Sequence, residues 1–303
     1  MAVTFAHLSD PHLTTLAGIP LRQFLSKRLL SYLSWRRKRR FEHRPEVLNT
    51  LVQDLDQHHC AQILISGDLT HTGLPAEFRE ARAWLERLGP SDGVAVIPGN
   101  HDSLVATSWE QSYAHWEPYI ASDPAENPEG NWWPSLRVRD DIAFIGLSTA
   151  LPTAPLMATG EVDAQQLEAL TEQLQTHCGK FRVVYLHHSP VEGAEKWRKR
   201  LRNSAEVRQR ICSSGAELVL HGHGHRQRWS ELPGPNGAIP VLAVPSSSAR
   251  GLYGADLAAY NLCTVACHDH GWSLAVERRE LASDLGHFAV TESREFLLRR
   301  SPP

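Results

Sequence analysis

The sequence predicts an α/β fold, on three observations. Runs of four to eight residues rich in Val, Ile, Leu and Ala alternate with helix-period patterns. Polar residues with chemical capacity stand immediately after those runs, where strands of an open α/β sheet bring their carboxyl ends to a shared crevice. With 42% hydrophobic and 21% charged residues over 303 positions, the chain can bury a large core, which excludes a mainly disordered tail or a small disulfide scaffold.

Strands are predicted at 3–8, 61–66, 94–97, 142–147, 181–187, 217–221, 240–244, 260–266 and 272–276. Several of these are almost continuously apolar, the pattern of strands covered on both faces. Helices are predicted at 45–58, 75–88, 163–177 and 204–213. Pro45 and Pro75 each open a helix, where the missing amide hydrogen leaves no bond unmade. The stretch 122–134, with Pro124, Pro128, Gly130 and the Trp132-Trp133 pair, has no period and reads as an irregular loop. Residues 280–303 read as an edge strand and a frayed tail ending in Pro302-Pro303. No internal repeat appears, and 1–303 reads as one domain with insertions.

The first ten residues are strand-like, with no basic leader, and no apolar run approaches the ~20 residues of a bilayer span. Cysteines at 60, 178, 212, 263 and 267 are odd in number and irregularly placed, which fits buried thiols in a reducing compartment. A cytoplasmic protein is expected. The net charge of −3 conceals an asymmetry: between Arg22 and Arg44 stand nine Lys or Arg and one Glu, so the remainder is strongly acidic and no stable nucleic-acid complex is expected.

The chemistry is carried by five motifs, each following an apolar run: Asp10-Pro11-His12, Ser66-Gly67-Asp68-Leu69, Pro98-Gly99-Asn100-His101-Asp102, Leu186-His187-His188-Ser189-Pro190 and His221-Gly222-His223-Gly224-His225. Together they supply carboxylates, an amide and imidazoles, ligands for divalent first-row metals; the lack of clustered thiolates speaks against an iron–sulfur or four-cysteine zinc site. Two metals sharing a carboxylate would suit in-line phosphoryl displacement. Gly67, Gly99, Gly222 and Gly224, each beside a candidate ligand, would let the backbone turn and approach closely.

The ordered set D-x-H, G-D, G-N-H-D, H and G-H-x-H, over residues 3 to about 250, resembles the calcineurin-like metallophosphoesterase superfamily. The resemblance implies a four-layer α/β/β/α sandwich of two mixed sheets. It also implies two divalent ions, of which Mn, Fe and Zn are the leading candidates, and hydrolysis of phosphoesters by a hydroxide bridging them. Carried over by motif, Asp10, His12 and His225 would hold one ion, Asn100, His187 and His223 the other, and Asp68 would bridge. His101 would reach the phosphoryl group or the leaving oxygen, with Asp102 holding its imidazole. His188 is the alternative to His187, and His221 reads as a supporting residue.

Residues 16–44 form a basic insertion between the first two motifs. Leu21, Leu25, Leu29 and Leu33 at i/i+4 spacing predict an amphipathic helix, and its departure next to His12 places it over or beside the site, as a lid. Three readings stand: its leucine face packs on the core; its cations clamp further phosphates of a nucleotide, pyrophosphate or phospholipid; or Arg36 to Arg40 dock on an anionic membrane surface, making the protein peripheral at the inner membrane. The expected activity is hydrolysis of a small phosphodiester or pyrophosphate. The alternatives are a phosphomonoesterase, a lipid-linked nucleotide pyrophosphatase of the UDP-diacylglucosamine type, and a non-catalytic adaptor on the same fold. A metallo-β-lactamase type is disfavoured, since its H-x-H-x-D-H pattern is missing near the start.

Overall fold

A computed structural model describes residues 2–13, 15–124 and 132–300. Residues 125–131 of the predicted loop and 301–303 of the predicted tail, Pro302 and Pro303 included, lie outside the described residues. In chain order the strands are β1 (Ala2–Leu8), β2 (Gln62–Ile65), β3 (Val94–Val96), β4 (Ser135–Arg139), β5 (Ile142–Leu147), β6 (Phe181–Leu186), β7 (Leu218–His221), β8 (Arg228–Gly234), β9 (Gly237–Ala243), β10 (Ala259–His268), β11 (Gly271–Leu281) and β12 (Phe288–Arg299). The helices are α1 (Arg28–Ser34), α2 (Pro45–Leu55), α3 (Pro75–Leu88), α4 (Glu117–Ile120), α5 (Ala164–Thr176) and α6 (Ser204–Ser214).

The strands form two six-stranded mixed sheets, β12-β11-β10-β1-β2-β3 and β4-β5-β6-β7-β9-β8. Alternation along β1 shows how the layers arise. Phe5 faces the second sheet, its ring edge-on to Phe144 at 5.1 Å, while Ala6 and Leu8 face the helices. Leu48, Leu51 and Leu55 of α2, with Phe78, Ala81 and Leu85 of α3, cover that outer face. Leu167, Leu170 and Leu174 of α5, with Val207 and Ile211 of α6, join the core on the second sheet. The result is the expected four-layer α/β/β/α sandwich.

Both proline-headed helices start as predicted, and α5 is capped by Asp163, whose carboxylate accepts from Gln166 N at 2.9 Å. Two strands escaped the sequence reading. β4 (Ser-Leu-Arg-Val-Arg) and β8 (Arg-Trp-Ser-Glu-Leu-Pro-Gly) are sheet edges, where charged residues and proline are tolerated and no apolar run is required. β10 and β11 run longer than predicted, because their ends carry exposed or half-exposed polar residues, such as His268 and Glu277 to Glu280, that break the apolar run. β12 closes the first sheet as its edge. Trp132 stacks on Trp109 at 4.6 Å and Trp133 meets Tyr113 edge-on, so the pair packs within the protein. All five cysteines are free. Among the described residues no helix is long and apolar enough to cross a membrane.

The basic insertion is not one amphipathic helix. A single 3-10 turn (Leu21–Phe24) breaks before α1, which continues through a π turn (Trp35–Arg39) and a last α-turn (Arg40–Glu42). The break destroys the leucine register. Phe24 and Trp35 are buried with Leu16 and Leu74, while Leu21 and Leu25 are 63% and 78% exposed.

Candidate metal centre

Each predicted site residue follows its strand, as the motifs required, and the backbone there is unusual. Asp10, His12, Asp68, His223 and His225 all have positive φ, between 39° and 65°. Such a conformation costs a non-glycine residue about 1–3 kcal/mol and persists only where surroundings over-determine it. Here they do. Asp10 N donates to Gly67 O at 2.9 Å, His12 N to Asp68 O at 3.1 Å, His223 N to Asp10 Oδ2 at 3.0 Å, and Ser246 Oγ to Asp10 O at 2.6 Å. Four turns from the two sheets are thereby laced together.

Two glycines are required by close approach. A Cβ at Gly99 would lie 2.2 Å from Asp68 Oδ1, and one at Gly222 would lie 1.8 Å from Ser9 Oγ and 2.6 Å from Asp10 Oδ2. Gly99→Ala is therefore expected to keep the fold but displace the Asp68 carboxylate. Turnover should drop by roughly 10²-fold, the scale of an ångström misplacement. Kinetics with metal analysis checks this, and unchanged turnover would contradict the geometry.

The side chains converge. Ligand atoms of Asp10, His12 and Asp68 lie within 4.8 Å of one another, as do those of Asp68, His187 and His223, so Asp68 belongs to both groups. His225 Nε2 joins the first at 3.0 Å from Asp10 Oδ1; Asn100 Oδ1 joins the second at 3.2 Å from His187 Nε2. Nδ1 of His12 donates to Thr70 O at 3.0 Å and Nδ1 of His187 to Ser66 O at 2.6 Å, which turns both Nε2 atoms toward the carboxylates. Nε2 of His12 and of His223 are buried and meet no hydrogen-bond partner among the described residues. Buried neutral imidazoles with a free ring nitrogen, arranged around shared carboxylates, fit divalent cations.

The charges agree with that fit. Burial holds His12 and His223 well below the usual histidine range, so both stay neutral. For Asp10, burial pushes upward but is outweighed by His225 and His187, keeping the carboxylate ionised. Burial also opposes a charged His187, yet Asp68, and behind it Asp10, lift this ring to about 9.

His188 is drawn away from the centre: its Nδ1 meets Thr149 Oγ1 at 2.7 Å and its Nε2 donates to Ala158 O at 3.1 Å. The alternation of side chains thus brings in His187 and not His188. His221 is buried beside the site with Nδ1 at 3.1 Å from Gly222 O and lies outside both groups. The role expected for Asp102 needs correction. Its carboxylate does not hold the His101 ring; it accepts from Asp68 N, Thr70 N, Thr70 Oγ1 and Gly99 N, each at 2.9 Å, and so ties the second motif to the third. The His101 ring is held by the His71 carbonyl, 2.7 Å from Nδ1. A side chain directed into the cluster of loop amides cannot also reach the imidazole.

A cavity of about 470 Å³ opens over both groups, lined by Asp68, Asn100, His101, His223 and His225. The insertion supplies part of its wall, including Arg39 and His43. His43 stands at the site without being singled out by the sequence. Its ring centroid is 4.6 Å from that of His12, and it forms a third group with His12 and His225, with ligand atoms again within 4.8 Å. No spacing in the sequence marks it, because it belongs to none of the five motifs.

Residues 3–227 match the calcineurin-like phosphoesterase family. A cAMP/cGMP dual specificity phosphodiesterase of Mycobacterium tuberculosis (strain CDC 1551 / Oshkosh) is 25% identical over 226 residues. That match covers 69% of this chain and 65% of the relative, just under two thirds of its length. Among solved structures, purple acid phosphatase PPD1 from yellow lupin (Lupinus luteus) seeds has a TM-score of 0.60 at 14% identity, covering 98% of this chain and 54% of that one. PhoD has a TM-score of 0.58 at 12% identity, covering 99% and 70%. These two likenesses show the fold, and the family match, which spans most of the chain and all five motifs, carries the assignment: the chain belongs to the calcineurin-like phosphoesterase family.

Proposed function

We propose that this protein is a metal-dependent hydrolase of a small phosphodiester or pyrophosphate, with a dinuclear centre. Asp10, His12 and His225 would hold one divalent cation, Asn100, His187 and His223 the other, and Asp68 would bridge them. The observation that supports this most is the membership of Asp68 in both ligand groups, with unpartnered buried Nε2 atoms on either side. A mixed oxygen and imidazole set suits Mn, Fe or Zn. When bound, the pair of cations supplies Lewis acidity toward phosphoryl oxygens and makes water a nucleophile near neutral pH.

The chain's own residues set the geometry for this. His187 would give up its Nε2 proton to hold a cation, while Nδ1 keeps its bond to Ser66 O and fixes the ring. Asp68 Oδ1 accepts from His101 N at 2.7 Å, which couples the bridging carboxylate to His101. With Nδ1 committed to His71 O, His101 offers Nε2 to a phosphoryl or leaving oxygen in the cavity. The cyclic-nucleotide activity named for the M. tuberculosis relative favours a diester. Mn²⁺-loaded protein is expected to hydrolyse bis(p-nitrophenyl) phosphate or a cyclic nucleotide, with loss of activity on chelation. A protein holding stoichiometric metal that cleaves no diester, pyrophosphate or monoester would overturn the reading. Five free thiols fit a reducing compartment, and we assign the cytoplasm.

One observation favours peripheral membrane contact as well. The insertion exposes Leu21, Leu25, Leu29 and Leu30 on the same segment as the exposed Arg36, Arg37 and Arg40. At about 1 kcal/mol per charge near an anionic surface, reversing all three arginines to Glu should weaken binding to phosphatidylglycerol vesicles by roughly 10²-fold or more. Vesicle co-sedimentation measures it, and equal binding by both proteins would remove this reading.

A further inference from the structure

The inserted basic segment carries nine Lys or Arg between positions 22 and 44, and the structure sorts them by use. Lys27 Nζ donates to Thr153 Oγ1 at 2.6 Å and Met157 O at 2.8 Å. Arg28 reaches Thr72 O at 3.0 Å, Gly73 O at 2.8 Å and Thr107 Oγ1 at 3.1 Å. At the other end, the Glu42 carboxylate accepts from Gly251 N and Leu252 N at 3.0 and 2.8 Å, and between them Ser31 Oγ donates to His71 O at 2.7 Å. The segment is an arm fastened along its length. Arg36, Arg37 and Arg40 face outward, whereas Arg39 comes within 3.3 Å of the His101 ring and lines the metal cavity.

We propose that Arg39 contacts substrate, its guanidinium binding the non-bridging oxygens of the phosphoryl group seated at the metal centre. This deepens the hydrolase reading above and rests on it. Three observations carry the assignment. First, the contact with His101 does not satisfy Arg39. His101 Nδ1 commits its hydrogen to His71 O at 2.7 Å, so it meets Arg39 Nη1 donor to donor.

Second, no carboxylate of the described residues lies within ion-pair reach of this guanidinium; Asp68 and Asp10 act on it only as charges at longer range. Arg39 is half-buried, and a cation drawn partly out of water without a paired anion is destabilised. Its planar fork matches two oxygens of a tetrahedral phosphoryl group.

Third, Arg39 ends a π turn, a widened turn that recurs at functional sites. Arg39 lines the cavity with Ser34 and His43 of the same segment, while its neighbours Arg36, Arg37 and Arg40 stay in solvent.

Inorganic phosphate titrated calorimetrically into Mn²⁺-loaded protein tests the contact without turnover. Arg39→Ala is expected to weaken phosphate by at least about 10-fold, the worth of a hydrogen bond to a charged group, with Arg39→Lys falling between. Turnover of bis(p-nitrophenyl) phosphate should fall roughly 10²–10³-fold in Arg39→Ala. Manganese per chain should be unchanged, and added guanidinium should partly restore the alanine variant. Arg87→Ala, an exposed arginine on α3, should change neither readout. Equal phosphate affinity in wild type and Arg39→Ala at equal manganese content overturns the assignment. Arg39-dependent phosphate binding by a wild type that cleaves no ester would sink the hydrolase reading alone. Equal turnover by both proteins would sink the Arg39 assignment alone. Should the alanine variant fail to fold, Arg39→Gln carries the same comparison.

Discussion

Asp68→Asn is expected to lose both bound metals and to lower phosphodiester turnover by at least roughly 10³-fold, the scale seen when one member of a unit that acts together is removed. The reason is positional. Asp68 is the candidate ligand that links the two proposed ion positions, sharing 4.8 Å neighbourhoods with Asp10 and His12 on one side and with His187 and His223 on the other. Replacing Oδ2 by an amide nitrogen puts a donor where His187 Nε2, at 3.4 Å, and His12 Nε2, at 3.8 Å, need a carboxylate. His187 should respond too. Asp68 is the largest influence raising its pKa to about 9 against burial, so its loss should drop that value sharply. Metal analysis of the purified variant and an NMR titration of the imidazoles check the two consequences separately. Retention of two ions per chain would show that Asp68 does not bridge.

The residues of the two ligand groups were legible in the sequence because each sits one to four positions beyond a strand that its apolar run already declared. The α/β architecture then forces such ends together. Asp10 and His225 lie 215 positions apart and follow strands of different sheets, yet their side chains meet at 3.0 Å, because β1 and β7 end at the same edge of the sandwich. Arg39 and His43 were not legible at that level. They sit on an arm whose course is set by the break after Phe24, by the π turn, and by hydrogen bonds from Lys27, Arg28 and Glu42 to loops far along the chain. None of these leaves a periodic trace. A leucine spacing that promised one buried helical face was misleading, because aromatic residues of the same stretch took the buried positions. Asp102 shows a subtler limit: its motif marks it as part of the site, but only the geometry shows that it acts on backbone amides and not on an imidazole.

Asp102→Asn separates those two roles. If the carboxylate served the His101 ring, the variant would lower turnover and leave stability and metal content intact. The hydrogen bonds demand the opposite. Four backbone amides, those of Asp68, Thr70 and Gly99 at 2.9 Å and of Leu69 at 3.4 Å, and the Thr70 hydroxyl point at two buried oxygens. An asparagine must turn its NH₂ toward donors that already fill one of those positions, leaving buried N–H groups unpaired. Each such group costs about 1–3 kcal/mol, so an unfolding free energy lower by roughly 2–5 kcal/mol is expected. Because Asp68 N is among the donors, the Asp68 carboxylate should shift with its backbone, and metal affinity should fall by about 10–100-fold, as for other residues that orient metal ligands. Denaturant unfolding with and without Mn²⁺ gives both numbers. A variant as stable as wild type, with normal metal content and slowed turnover, would return Asp102 to the imidazole.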